Sequence, residues 1–318
     1  MSRAGGLGIS WNDTSRGTWD DAHASAAASY QQDWAYGAAL TASSPGVDVL
    51  RAAVRRADGS LLALAQVTAR PFALVGRFAL CTHGPVWVGN ASAEEKQAAF
   101  RLLKSSLPQK WPRLLVMTPD EPMSDGLKGL KRVMTGDATV LLDLAKDEDA
   151  LRASMDQGWR NRLSKAERSD LVVQKAGVKP AQYRWLLDAE ARQRVNRGYR
   201  AMPIEMTERW QDAKAVGAKG DKSAGLAVFR ADLKRDAVAG MLFLVHGRRA
   251  TYHVGWTSEE GRSRAAHNLI LWTAMKDLRM QGVAILDLGG VNTQSGAGIA
   301  RFKLETGGNV LMRAGAFV

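Results

Sequence analysis

Lys303 stands between Phe302 and Leu304, downstream of the run Val283-Ala284-Ile285-Leu286-Asp287-Leu288-Gly289-Gly290. A lysine is cationic at neutral pH, with an unperturbed pKa near 10.4. Held among apolar neighbours, that charge suits a developing oxyanion or a departing ribose oxygen better than it suits general-base work. Asp287 has two readings: it orients an incoming ammonium, or it forms the turn that ends a strand. The glycines after it let the backbone turn sharply or approach a ligand closely. Residues 283–286 read as a buried strand, and a loop rich in Gly, Ser, Thr and Asn separates them from Lys303. This pattern presents a charge inside a cleft; the plainer alternative is a surface loop followed by a strand with a solvated lysine. No nucleophile–base pair is evident. Cys81 lies within an apolar strand, where inert core cysteine is the usual state, and His253 and His267 fit packing and capping.

The elements that must present these residues follow from the chain in order. Residues 17–41 read as a polar lead-in and one helix, capped by the 18–21 stretch Thr-Trp-Asp-Asp and propagated by the alanine-rich 24–28. Tyr30, Trp34 and Tyr36 are most simply core anchors. Residues 47–88 read as a β-meander with a hairpin turn at Asp58-Gly59. An amphipathic helix with an acidic first turn follows at 93–107, then a short strand at 113–117. Residues 118–138 carry two prolines, the basic residues Lys128, Lys131 and Arg132, and Gly136-Asp137. That turn-rich stretch predicts a boundary between domains 1–138 and 139–318. The second domain reads as a strand at 139–144 and a helix at 147–156, with Gly158 interrupting before a helix from Trp159. A strand at 171–174 and an arginine-rich helix at 180–200 come next. Residues 224–230, 237–245 and 250–256 form a second meander. One long helix at 262–281 carries Leu271, Ala274, Met275 and Leu278 at helical spacing and stops at Gly282.

With 318 residues, 46% of them hydrophobic, the chain buries a substantial core and is globular. No apolar run approaches the roughly 20 residues needed to span a bilayer, and the N-terminal residues lack the apolar segment of a signal peptide. One Cys and five His offer no disulfide and no zinc-type spacing. The expectation is an enzyme with neither metal nor cofactor, cytoplasmic or in peripheral contact with the inner face of the membrane. Forty-four basic against 32 acidic residues give a net charge of +12. Such an excess favours nucleic acid, an anionic membrane face or phosphorylated substrates. It concentrates in residues 151–200, where twelve Lys or Arg meet five Asp or Glu. On a helix from Trp159, Arg160, Ser164 and Arg168 fall opposite the Trp159/Leu163/Ala166 stripe. Arg192, Arg194, Arg197 and Arg200 follow, with Asn196 and Tyr199.

Strand, strand, helix, strand spans 61–117, and the same order spans 237–288. Two copies of this mixed α/β unit look like a tandem acetyltransferase-type (GNAT) fold. The chain also resembles the Fem family of tRNA-dependent aminoacyltransferases, which are tandem GNAT proteins. The resemblance is carried by Gln31-Gln32-Asp33-Trp34, Gly84-Pro85-Val86, and the stretch from Trp159 through Arg160, Asn161, Arg162, Leu163 and Ser164 to Lys165. It continues in Asp287-Leu288-Gly289-Gly290, and in Ile299-Ala300-Arg301-Phe302-Lys303 with Gly307-Gly308. It implies transfer of an amino acid from aminoacyl-tRNA to an amine, typically on a peptidoglycan precursor, with Lys303 as the catalytic lysine. It also suggests Gln32, Trp34, Arg70, Tyr252 and Trp256 as acceptor contacts, and Arg160, Lys165, Arg168, Arg262 and Arg264 as tRNA contacts. Two features differ from the family: Ala35 to Leu40 contain no lysine, and no segment has coiled-coil length.

Two other functions compete. Acyl-CoA transfer needs a Gly-rich turn before the long helix, whose amides bind pyrophosphate. Gly261-Arg262-Ser263-Arg264-Ala265-Ala266-His267 lacks Gly where the backbone must approach. A non-catalytic RNA-binding protein would account for the basic charge but leaves Lys303 without a role.

Overall fold

The computed structural model describes residues 2–4, 6–72, 76–109, 113–198, 203–221, 224–293 and 296–318. Tyr199 and Arg200 lie outside the described residues. The elements run β1 (Ser2–Ala4), β2 (Leu7–Trp11), α1 (Arg16–Ser25), α2 (Trp34–Ser43), β3 (Asp48–Arg55), β4 (Leu61–Phe72), β5 (Gly76–Thr82), β6 (Val86–Trp87), α3 (Ala93–Ser105), β7 (Leu114–Thr118) and β8 (Arg132–Met134). Next come β9 (Ala138–Asp143), α4 (Glu148–Ser154), α5 (Gln157–Glu167), β10 (Leu171–Ala176), α6 (Pro180–Arg197), α7 (Ile204–Gly217), β11 (Leu226–Leu233), β12 (Asp236–His246) and β13 (Arg249–Thr257). The chain closes with α8 (Glu259–Ser263), α9 (Ala266–Met280), β14 (Ile285–Gly290), α10 (Ala297–Leu304), β15 (Asn309–Met312) and β16 (Ala316–Phe317). These residues divide into two compact units, 1–138 with 311–318, and 139–310. The last eight residues therefore belong with the first unit.

The first unit holds a sheet in the order β1-β2-β3-β4-β5-β7-β16-β8, with β6 on β4. Two N-caps split the single helix expected at its start. Ser15 accepts from the Thr18 amide and Asp33 from the Ala35 amide, so residues 18–21 lie inside α1 rather than before it. The alanine run leaves the helix at Ala27, whose φ is 44°. Asp58-Gly59 makes the hairpin turn between β3 and β4, with φ of 86° at the glycine. Trp19 is buried edge-on to Trp34. Phe100, Leu103 and Phe317 sit in the main core cluster.

The second unit holds a sheet in the order β10-β11-β12-β13-β14-β9-β15. α5 and α9 pack on it, and Trp159, Leu163, Leu271 and Met275 share a core with Phe229, Phe243 and Leu286. The break before α5 falls at Met155 and Asp156, so Gly158 is already helical. The long helix expected at 262–281 is two helices, because Ala265 adopts the left-handed conformation at φ 56°. Among the described residues no helix is long and apolar enough to cross a membrane. Nor is there a group of three or more metal-ligating side chains among them.

Candidate active site

In the second unit, β13 and β14 run parallel only from Arg249↔Ile285 to Thr251↔Asp287, after which their pairing stops. Asp287 sits where they part. Its carboxylate accepts from the Thr139 hydroxyl at 2.6 Å and from the Gly289 amide at 2.8 Å, and it pairs with the buried Arg249 guanidinium. With those donors around it, Asp287 anchors β9, β13 and β14 and turns the end of β14. Those bonds fit the turn-forming reading of Asp287.

Lys303 is on α10, not on a strand. It is 8% exposed, and its Nζ donates to the Gly290 carbonyl at 2.8 Å. Gly289, at φ 76°, brings its backbone beneath the ammonium: a Cβ there would lie 3.6 Å from Nζ. Burial pushes the Lys303 pKa down to about 8, with the negative charge of Asp287 opposing the shift. A lysine tuned this way is mostly cationic near neutrality yet able to give up its proton, which matches the demands of a general acid.

The same unit holds a cleft of about 610 Å³, lined by Tyr252 and Gly255 of β13, the α8–α9 turn, the first turn of α9, and Phe302 of α10; Lys303 is not part of its lining. Arg162, Arg262 and Arg301 also line it. Arg162 and Arg301 both engage the Glu305 carboxylate, Arg301 Nε at 2.6 Å, whereas Arg262 is exposed. α9 begins with no side-chain cap and no acidic residue in its first turn. Its leading amides and the positive end of its dipole therefore face the cleft without a built-in counter-charge. His267 donates its Nε2 proton to the Trp256 carbonyl at 2.9 Å. Burial lowers its pKa to about 4, so the ring is neutral and its Nδ1 keeps a lone pair. The Tyr252 hydroxyl lies against Gly255, where a Cβ would come within 1.7 Å of it.

Of the residues expected at the site, Tyr252 and Arg262 meet in this cleft. Lys303 follows the cleft-lining Phe302 on the same helix. The others are elsewhere. Gln32 is fully buried in the first unit, donating to the Gln66 and Thr82 carbonyls and accepting from the Gln66 amide, so it has no group to offer an acceptor. Trp34 stacks under the Arg51 guanidinium at 3.7 Å and lines a separate shallow depression of the first unit. Arg70 is exposed on β4, and Trp256 stands edge-on to Trp185. Arg160 is bound to the Ala153 and Met155 carbonyls, where it closes the end of α4. Lys165 donates to the Ser263 carbonyl at 2.9 Å, and Arg264 pairs with Asp170. Arg168 is exposed at the end of α5. The residues not singled out for the site are Arg162, Arg301, His267 and Glu305. Arg162 and Arg301 stand inside motifs that carry the family resemblance. Nothing local marked Glu305, which is 143 residues from Arg162.

Residues 137–304 match the acetyltransferase (GNAT) domain family. Among curated protein sequences none matches the chain. Among solved structures, a crystal structure of FemX superposes with a TM-score of 0.79 at 16% identity, covering 97% of this chain and 96% of that one. The C-terminal domain of a putative lysylphosphatidylglycerol synthetase from Agrobacterium fabrum superposes at 0.50, with 14% identity and coverage of 94% and 91%. A tandem GNAT protein from the clavulanic acid biosynthesis pathway gives 0.50, with 12% identity and coverage of 98% and 97%. With that domain matched over more than half its length, and with the two-sheet fold these structures share, the chain belongs to the acetyltransferase (GNAT) family and is an acyltransferase of tandem GNAT architecture.

Proposed function

We propose that the protein transfers an amino acid from aminoacyl-tRNA to an amine acceptor, the second unit carrying the reaction and the first serving as the acceptor platform. The observation that carries this reading is a buried, tuned cation on the helix whose Arg301 and Phe302 line an electropositive cleft. Lys303 has its pKa near 8, and its neighbours Arg301 and Phe302 line the cleft with Arg162, Arg262 and the uncapped start of α9. A donor whose leaving group ends in phosphodiesters suits that cleft, and the net charge of +12 favours its approach. The acceptor nitrogen, as the free amine, forms a bond to the ester carbonyl carbon. The carbonyl oxygen takes the negative charge, and the Lys303 ammonium stabilises it. As the C–O bond to the ribose breaks, its electrons pass to the ribose oxygen, which takes a proton from Lys303. The proton that the attacking nitrogen sheds in becoming an amide returns to the neutral Lys303 amine. The likeness to FemX supports the tRNA ester as donor, and a peptidoglycan precursor is the acceptor class it brings forward.

One observation favours a second donor. Ala265 reaches the left-handed conformation without being glycine, so the turn before α9 forms despite its sequence, and the Ala266 and His267 amides that follow it are the ones a pyrophosphate could meet. Acyl-CoA is the alternative the site can hold. The experiment is mass spectrometry of products from a panel of amines incubated with charged tRNA or with acetyl-CoA in parallel. Aminoacylated products only with charged tRNA support the first reading. Acetylated products only with acetyl-CoA replace it with the second.

A further inference from the structure

The turn-rich stretch before residue 138 ends in a ribbon that the transfer chemistry does not use. Leu127 is fully buried, Leu130 packs against the first unit's core, and Gly129 turns the chain at φ 82°. β8 then pairs Met134 with Ala316 and Arg132 with Phe317, and Val318 donates its amide to the Lys131 carbonyl at 3.0 Å. Phe317 is fully buried, so the ribbon has a fixed anchor. Residues 131–135 are nevertheless all exposed, on both faces of the strand. Val133 is 51% and Met134 66% exposed. Lys128 pairs with Asp125, but among the described residues no carboxylate pairs with Lys131 or Arg132. β8 is also the terminal strand in the sheet order.

Two cations without a carboxylate partner and two projecting apolar side chains on one anchored edge limit the partner. A nucleic acid would engage the cations and leave Val133 and Met134 in water. A second copy adding its own β8 would set Lys131 and Arg132 against their equivalents, the charge device that keeps edge strands from pairing. An anionic bilayer satisfies both features, with headgroup phosphates meeting the cations and the apolar tips entering the interface. We propose that residues 128–135 dock the protein peripherally on an anionic phospholipid surface. This surface is independent of the donor and acceptor assigned above.

The test is co-sedimentation of the full chain with vesicles of phosphatidylcholine alone and of phosphatidylcholine with phosphatidylglycerol. Three double variants are compared with wild type: Lys131→Glu with Arg132→Glu, Val133→Ser with Met134→Ser, and Lys234→Glu with Arg235→Glu. The last pair is exposed on the β11–β12 hairpin and gives the same change in net charge. Wild type is expected to bind only the phosphatidylglycerol vesicles. Charge reversal in the ribbon should weaken binding about 25-fold or more, at about fivefold per cation lost. The serine pair should weaken it as well, while the hairpin control binds as wild type. Circular dichroism confirms that each variant is folded. The proposal is overturned if the control loses as much affinity as the ribbon reversal, or if the serine pair binds unchanged. It is also overturned if the ribbon variants lose binding to polyuridylate but not to vesicles, or if they dissociate a dimer seen for wild type.

Discussion

Both units contain a strand–strand–helix–strand run that closes on a parallel pair, and the two runs finish differently. In the first unit β5 and β7 stay in register from Phe78↔Leu114 to Thr82↔Thr118. The helix between them, α3, starts with a capping box formed by Ser92 and Glu95, and Glu94 adds a second carboxylate to its first turn. In the second unit β13 and β14 part after Thr251↔Asp287. Their helix, α9, starts on a left-handed alanine with neither cap nor acid. Carboxylates at a helix start neutralise its partial positive charge and occupy its amides. The first run has thus closed both places where a ligand can enter, between the strands and at the helix start. The second leaves both open, and Arg162, Arg262 and Arg301 gather at the helix start. One motif serves as scaffold when it is sealed and as a site when it is not.

The most direct way to break this contrast is to remove the cation that the open run shelters. Lys303→Ala should lower single-turnover transfer by roughly 10²–10³, the size typical of losing one oxyanion donor, while affinity for the donor barely changes. Thermal melting checks that the variant is folded, and an unchanged rate in a folded protein would remove Lys303 from the chemistry. Closing the helix start electrically is the next step. Arg262→Glu places a carboxylate in the cleft and should raise the KM for the donor about tenfold, with a smaller change in kcat. An unaltered KM would mean that the donor does not reach α9.

A pH profile sharpens the role of Lys303. Only the Lys303 cation is active and only the free acceptor amine attacks. The rate divided by the acceptor's free-amine fraction should therefore hold below the lysine pKa of about 8 and fall to half near that pH, then decline further. The folded pKa lies below the unfolded value of 10.5, so the folded state binds the proton less tightly. The cost of burying the charge is present in full below about 8 and disappears as pH rises toward 10.5, so this group makes the protein more stable in the window where activity is lost. A rate per free amine that stays flat from pH 7 to 9 would contradict the assignment. The smallest effect belongs to the sealed run. Ser92→Ala should cost about 1 kcal/mol of stability in denaturant titration and leave transfer untouched. A loss of activity there would mean that the first unit's helix start does more than hold its fold.

Much of the scaffold was legible because it is coded locally. Alternation in β3 and β4 around Asp58-Gly59 needs no distant partner, and the α3 cap is written in Ser92 and Glu95. The repeated element order led to the tandem GNAT fold on the same footing. The break at Ala265 was not legible, since an alanine in the left-handed region carries no signal of its own. α7 had no strong apolar stripe to announce it. The site was the harder part. Lys303 could be singled out by its neighbours, but its helical setting and lowered pKa come from the packing of α10 over Gly289 and Gly290. Arg160 and Lys165 looked like a basic face until local carbonyls claimed them. Conversely, Arg162 entered the cleft through Glu305, far along the chain.

The placement of Phe317 has a consequence in time. It fills the first unit's core between β7 and β8, and Arg313 ties the same tail to Asp120 and Asp137 at 2.7 Å each. Residues 139–310 are translated between the body of that unit and the strand that completes its sheet. The unit that emerges first from the ribosome is therefore the one that finishes last, and its open sheet edge waits, unpaired, for the whole of the intervening unit to be made.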